Sequence, residues 1–467
     1  MKFAIISFAV LLRILVGFQP HSGQDNYQGP KGSKPSPFKY GGDYEAQRHW
    51  MEITYHLPLS EWYWHSLEYW GLDYPPLTAY VSWVCGCFAH NLGSLHDSYD
   101  TILGNDGNNF DESIHADTDI IEDDVCELED NNGCMKVPSE AEQIHDQRGG
   151  GLKAIKDLVA LHSSRFGYEH ALGKMYMRFT VLLLDLLVYM SAVVTIAKSL
   201  CHTNSSTKSS TNKSNNGLVT SDQRQLWLII TAFSQPALLL IDHGHFQYNT
   251  TSLGLALWSF YFMTQSSFIG PIIGSVFFSL ALNFKQMELY HAPAVFAYLL
   301  GRCFYREKNA TNATSSMLRF CALGMSVILT FAVLWLPFAI DTRELSSTKF
   351  HLDGVLQVLK RLFPFQRGLF EDKVANIWFV LSVKPLSIRS RVSVDLLPLA
   401  AAGLTLILIL PACFILFRVG QQNKNYASKR TLEFLLWGSA STSISFFLAS
   451  FQGTCDVVLL DKIIPRR

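Results

Sequence analysis

Leu396 to Phe417 reads LLPLAAAGLTLILILPACFILF, an apolar run without a single charged side chain. About 20 apolar residues in helical form cross the hydrocarbon core of a bilayer. Comparable runs extend from Met1 to Phe18, Phe179 to Leu200, Leu226 to Ile241, Met317 to Ile340 and Phe434 to Phe451. The tract from Ser252 to Leu282 holds two further helices, and Pro76 to Phe88 and Ala292 to Cys303 are shorter candidates that span with their flanks. At least six spans are expected, and about nine or ten helices in total. Composition agrees, since 49% of the 467 residues are hydrophobic and only 16% are charged, where a soluble domain carries about a quarter charged. The fold class is an all-α membrane protein.

Met1 to Phe18 has the positive end and apolar run of a signal peptide, but Arg13 interrupts the run and no small-x-small cleavage site precedes Pro20. A retained first helix is expected. A formal net charge of -1 with no basic block excludes nucleic acid as a partner. The nine cysteines form no CxxC pair, and Cys85 and Cys87 lie in an apolar run, which points to buried thiols. Two polar stretches read as insertions: acidic, aromatic-poor 96–151, expected to be disordered, and the Ser/Thr/Asn/Lys tract 202–216. The acidic cluster lacks the spacing of a calcium loop.

The remaining polar segments, Tyr40 to Pro76, Asp242 to Asn249, Asn283 to His291 and Asp341 to Trp378, are rich in aromatics. Charged groups near membrane depth line cavities or pair with one another, so these segments are expected to wall the active site. GDYEAQRHWMEIT (Gly42–Thr54) places Asp43 as the N-cap of a helix, with Arg48 and Glu52 at ion-pairing spacing. LPLSEWYW (Leu57–Trp64) and YWGLDYPPLTAY (Tyr69–Tyr80) set acids beside an aromatic platform, of which Trp62, Tyr63, Trp64, Tyr69 and Trp70 suit a membrane interface. Pro75-Pro76 forces Tyr74 out of helical geometry. In LLIDHGHFQYN (Leu239–Asn249), Asp242, His243 and His245 invite a metal reading, but residues two apart share no helical face, and a hydrogen-bonding or phosphate-contacting role is preferred. NFKQMELYHAP (Asn283–Pro293) adds Lys285 and Glu288.

Together with LFPFQRGLFEDKVANIW (Leu362–Trp378), these motifs closely resemble the eukaryotic dolichyl-phosphate-glucose glucosyltransferases that place the first glucose on Man9GlcNAc2 dolichyl pyrophosphate. The resemblance runs in order from about Leu11 to Phe451, interrupted by the two insertions. It implies one polytopic glycosyltransferase domain over 1–467, a GT-C-type multi-spanning helical bundle with luminal loop helices, in the endoplasmic reticulum membrane. The first luminal loop, 18–76, carries catalytic motifs. The implied donor is dolichyl phosphate glucose, the acceptor Man9GlcNAc2-PP-dolichol, and the product an α-1,3 glucoside formed by one inverting displacement, with no metal or other cofactor. Asp43 is the expected base and Asp73 the second acid of the site. Substrate contacts are expected from Glu45, Arg48, His49, Trp50, Tyr74, Asp242, His243, His245, Gln247, Lys285, Gln286 and Arg367, with Arg48, His49, Lys285 and Arg367 at the departing phosphate.

After Ser450-Phe451-Gln452 such sequences usually continue with a Val-His-Glu-Lys motif and further membrane helices, whereas this one reads Gly453-Thr454-Cys455-Asp456 and ends at Arg467. An inactive or scaffold paralogue is therefore the alternative reading. A transporter is the third, weakened because neither GDYEAQRHW nor LDYPP recurs in the second half. With the first helix running from cytosol to lumen, simple alternation puts the acidic insertion in the cytosol and 202–216 in the lumen, where sequons at Asn204 and Asn212 become glycosylation sites. Lys208, Lys213 and Arg224 instead favour the cytosol for that tract.

Overall fold

A computed structural model describes residues 2–23, 42–65, 70–102, 152–161, 168–201, 220–304, 313–341, 349–350, 352–363, 376–383, 388, 392–393, 396–422 and 428–449. The fold is all-α; among these residues the only strands are a two-residue ladder pairing Ile340 with Phe350 and Asp341 with Lys349. Arg367, the tail from 450 and most of both insertions lie outside the described residues.

The longer helices are α1 (Lys2–Gly17), α2 (Gly42–His56), α3 (Pro76–Ile102), α4 (Ala171–Cys201), α5 (Ser221–Phe246), α6 (Asn249–Met263) and α7 (Ile269–Phe284). They continue with α8 (Ala292–Cys303), α9 (Ala313–Trp335), α10 (Leu352–Leu362), α11 (Leu396–Gln421) and α12 (Ser428–Ala449). Five helical stretches, Ala171–Cys201, Ser221–Phe246, Ser315–Ala339, Leu396–Gln421 and Lys429–Ala449, are long and apolar enough to cross a membrane. Phe3–Gly17 and Ile269–Phe284 are shorter apolar helices. The tract Ser252 to Leu282 does divide into two helices, α6 and α7.

One end of the bundle is defined by Asp43. There the segment after α1 meets the end of α5 through the Ser22 hydroxyl, which donates to the His245 carbonyl at 3.0 Å. Thr78 at the start of α3 donates to the Phe284 carbonyl at the end of α7 at 2.5 Å, and Tyr80 donates to the Leu334 carbonyl of α9 at 3.0 Å. From this point α3 runs outward along α2 rather than across the bundle: Gly86 lies against Met51 and Val159, and Gly93 against Leu152 and Lys156. Helix continues through Ile102, so 96–102 correct the expectation that the acidic insertion is disordered from its first residue. The two described flanks of that insertion pack on each other, Gly93 against Leu152 and Lys156. At the far ends of α4 and α5 the Ser221 hydroxyl donates to the Cys201 carbonyl.

The loop layer at the Asp43 end has its own core of Trp50, Ile53, Trp62, Tyr63, Leu72, Phe338, Val358 and Leu362. Trp62 and Tyr63 are thus buried in protein rather than laid out as an interfacial belt. Amphipathic α10 closes this layer, with Arg361 donating to the carbonyls of Leu72 (3.0 Å) and Gly71 (2.8 Å) and Gln357 to that of Tyr63 (3.0 Å). Among the described cysteines, Cys201 and Cys303 are buried, while Cys85 and Cys87 are only half-buried.

Within the bilayer, hydrocarbon gives helices little apolar reason to associate, so close backbone approach carries the packing. Helices α8 and α11 cross at Gly301 and Gly420, where a Cβ on either would collide with the backbone of the other helix, at Phe417 and Tyr298 respectively. Gly403 of α11 has nothing within 4 Å of a Cβ position. Gly301→Ala is therefore expected to cost about 1–3 kcal/mol through overpacking, read as a fall of several degrees in detergent melting temperature. Gly403→Ala should not lower it. Equal melting temperatures for the two variants would contradict the crossing.

Candidate active site

The last turns of α5 are π-helical from Leu239 to Phe246, a form that recurs at functional sites. The residues of its last turn are pinned differently. Asp242, fully buried, accepts from Asn249 N (3.1 Å), Asn249 Nδ2 (2.8 Å) and Thr250 N (2.6 Å), and so caps the start of α6. His243 Nε2 meets Asp185 Oδ2 at 2.9 Å. The Gly244 carbonyl accepts from Arg178 Nη2 at 2.7 Å. Phe246 is buried with φ 84°, a strained conformation for an aromatic residue. Such strain persists where the surroundings over-determine the backbone.

His245 turns outward from this strained turn, and its Nε2 stands 2.8 Å from Asp43 Oδ2. The same oxygen accepts from Gln247 Nε2 at 2.5 Å. Asp43 lies inside the first turn of α2, one residue after Gly42, which corrects its expected place as the N-cap. Its N–H donates to the Ser22 hydroxyl at 3.1 Å. Gly42 has φ 71°, and a Cβ there would fall 2.5 Å from the Ser22 carbonyl oxygen, so glycine is required. Asp43 Oδ1 has no partner among the described residues, and the side chain is 31% exposed, that of His245 53%.

Gln247 is the bridge. Its Oε1 accepts from Lys285 Nζ at 2.5 Å and from the Tyr74 hydroxyl at 3.3 Å. Lys285 also donates to Asn249 Oδ1 at 2.6 Å and lies 5.0 Å from the Tyr74 ring centre. Burial lowers the Lys285 pKa from 10.5 to about 8, although Asp242, Asp43, Glu288 and Asp73 all favour its charged form. Asp73, half-buried, shares the segment that Arg361 clamps, and its charge reaches Tyr63, Tyr74 and Lys285. Trp50 is held by a 2.8 Å bond from its Nε1 to the Trp70 carbonyl and lies 5.0 Å from Tyr74 between ring centres. Gln286 Oε1 is buried without a hydrogen-bond partner among the described residues.

The other expected contacts sit in the wall. Arg48 is fully buried and takes Glu45 bidentately (Nη2 to Oε1 at 2.6 Å, Nε to Oε2 at 2.9 Å), Glu52 at 2.8 Å and the Leu158 carbonyl at 2.9 Å. The i,i+4 pairing of Arg48 with Glu52 read from spacing is present. His49 is buried beside Glu52 at 3.6 Å. The structure thus brings together Asp43, His245, Gln247, Lys285 and Tyr74, and directs Glu45 and Arg48 to holding α2 against 153–159. Asp242, His243 and His245 face three different partners. Among the described residues no group of three or more His, Cys, Asp or Glu could hold a metal ion.

Sequence reasoning missed Ser22, Asn249, Arg178 and Asp185. Asp185 carried a legible signal, a lone acid inside the apolar run from Phe179 to Leu200. Ser22 carried none, because a serine in a polar linker is unremarked until the linker's path is known.

The family model described as the ALG6, ALG8 glycosyltransferase family matches residues 9–100 and 151–460. The dolichyl pyrophosphate Man9GlcNAc2 alpha-1,3-glucosyltransferase of Gallus gallus is 35% identical over 455 residues, which are 97% of this chain and 67% of that protein. Its counterpart in Rattus norvegicus is 35% identical over 96% of this chain and 66% of its own length. That of Saccharomyces cerevisiae is 34% identical over 97% and 62%. This chain spans about two thirds of the length of these curated relatives, and the transporter reading finds no counterpart among the three. Matched over most of its length by the family model and by relatives from bird to yeast, the chain belongs to the ALG6, ALG8 glycosyltransferase family.

Proposed function

We propose that this chain transfers glucose from dolichyl phosphate glucose to the terminal mannose of Man9GlcNAc2-PP-dolichol in the endoplasmic reticulum membrane, forming an α-1,3 linkage by inversion. The relatives' names supply the acceptor and the linkage. One observation carries the chemistry: Asp43 spends Oδ2 on Gln247 and His245, and its Oδ1 has no partner among the described residues, on a partly exposed edge. A carboxylate fixed through one oxygen presents the other to a hydroxyl in a set direction.

In this reading the mannose 3-hydroxyl gives its proton to Asp43 Oδ1 as its oxygen attacks the glucose anomeric carbon. The bond from that carbon to the phosphate oxygen breaks, and its electron pair leaves with dolichyl phosphate. Lys285 fixes the Gln247 amide by donating to Oε1, so that Nε2 faces Asp43. Two of its three ammonium protons go to Gln247 and Asn249, and the third is available to the departing phosphate. His245, half exposed beside Asp43, is the second group on that side. Arg48, committed to two carboxylates and a carbonyl, is assigned to the wall.

Asp43→Asn keeps the Gln247 contact but takes up no proton, so transfer by the purified variant should fall by roughly two to four orders of magnitude with both lipids still bound. Near-wild-type turnover would remove Asp43 as the base and leave Asp73 as the next candidate.

Lys285 gives a second test. With its pKa lowered to about 8, transfer should decline as pH rises through about 8, and Lys285→Arg, charged throughout, should move that limb upward. Folding stability should move the other way. Between about 8 and 10.5 the unfolded chain holds the Lys285 proton that the folded one has lost, so this group's contribution to stability rises with pH. A flat rate profile up to pH 10 would contradict a role for its charge.

A further inference from the structure

Arg13 and Asp185 are ionisable groups that the proposed chemistry does not use, and both lie within apolar helices with 1% and 0% of their side chains exposed. Arg13 Nε donates to Asp185 Oδ2 at 2.5 Å, and its Nη1 donates to the carbonyls of Ala9 (3.2 Å) and Phe233 (3.0 Å). His243 Nε2 meets the same Asp185 oxygen at 2.9 Å. Asp185 Oδ1 is buried and makes no hydrogen bond among the described residues. The cluster ties α1, α4 and α5 together where both α4 (Asp185–Met190) and α5 (Leu239–Phe246) are π-helical.

Plain packing would not demand this. A buried ion pair is weak support for stability, because apolar side chains of similar volume often serve as well. What the pair does hold is His243, two residues before the one that meets Asp43. The turn's other contacts reach Asn249 and Thr250 of α6, Arg178 near the start of α4, and Ser22. His243 is anchored further along α4 than Arg178, on the Arg13–Asp185 pair.

The geometry points to Asp185, oriented by Arg13, as a positioning residue for the proposed glucosyl transfer: through His243 it fixes the turn that sets His245 and Gln247 against Asp43. The inference rests on the reading of Asp43 as the base. It assigns no contact with either lipid to Asp185 or Arg13.

The test separates positioning from folding. Asp185→Leu alone leaves Arg13 buried without its counter-ion and should lower the melting temperature. Arg13→Met with Asp185→Leu removes both charges and should restore it. Transfer by this folded double variant should nevertheless stay about a hundredfold down in kcat, the scale of a 1 Å misplacement, with KM little changed. Combined with Asp43→Asn, the double variant should cost no further rate, because the two losses act through one group. A second readout needs no turnover: modification of exposed His245 by diethyl pyrocarbonate, mapped by mass spectrometry, should quicken several-fold once the turn is released. Recovery of kcat together with melting temperature would show a merely structural pair. Unchanged His245 reactivity in the double variant would overturn the proposal even if the wild type transfers no glucose, an outcome that would itself sink only the functional reading.

Discussion

The hydrogen bond from Gln247 to Asp43 joins two parts of the chain that nothing in their sequence separation would bring together, and the site is organised around it. An amide can bridge in this way because it donates through nitrogen and accepts through oxygen. Lys285, by donating to the oxygen, decides which way the amide faces. The same ammonium holds Asn249, and Asn249 holds Asp242. A line of hydrogen bonds thus runs from the exposed edge of Asp43 to a buried acid at the start of α6. Removing any member leaves a neighbour with an unpaired polar group in a place poor in water, which costs more than the bond itself is worth.

The membrane explains why the chain accepts so many charges near its apolar helices only in closed groups. An ion at the centre of a bilayer is expensive, by about 2.5–3.5 kcal/mol on insertion scales. Arg13, Asp185 and His243 meet that cost by sharing one carboxylate oxygen, and Arg48 meets it between two glutamates. The exceptions are informative. Asp43 and His245 are the polar pair left partly open, at the end of the bundle where the loop helices build a cover over apolar spans.

Apolar length made the helical class and most spans legible in the sequence, because hydrocarbon imposes a length that composition alone satisfies. The path of α3 was not legible: Pro76 to Phe88 is apolar enough to be taken for a span, and only its packing along α2 and against Leu152 and Lys156 shows that it leaves the bundle. Motif reading found Asp43, His245, Gln247 and Lys285 together, yet placed Arg48 among them. Spacing already paired Arg48 with Glu52, but it does not say how completely a buried guanidinium is used. The N-cap reading of Asp43 failed because the helix already starts at Gly42. The positive φ of Gly42 shifts the helix start, and that shift frees the carboxylate to face Gln247.

The central claim is that a single fixed carboxylate drives one displacement at the glucose carbon. The most direct measurement is the anomeric configuration and linkage of the glucose that the purified protein adds to Man9GlcNAc2-PP-dolichol from β-linked dolichyl phosphate glucose, read by NMR. The account predicts an α-glucoside on the 3-hydroxyl of the terminal mannose. A β-glucoside would contradict it, since retention proceeds through two displacements rather than one.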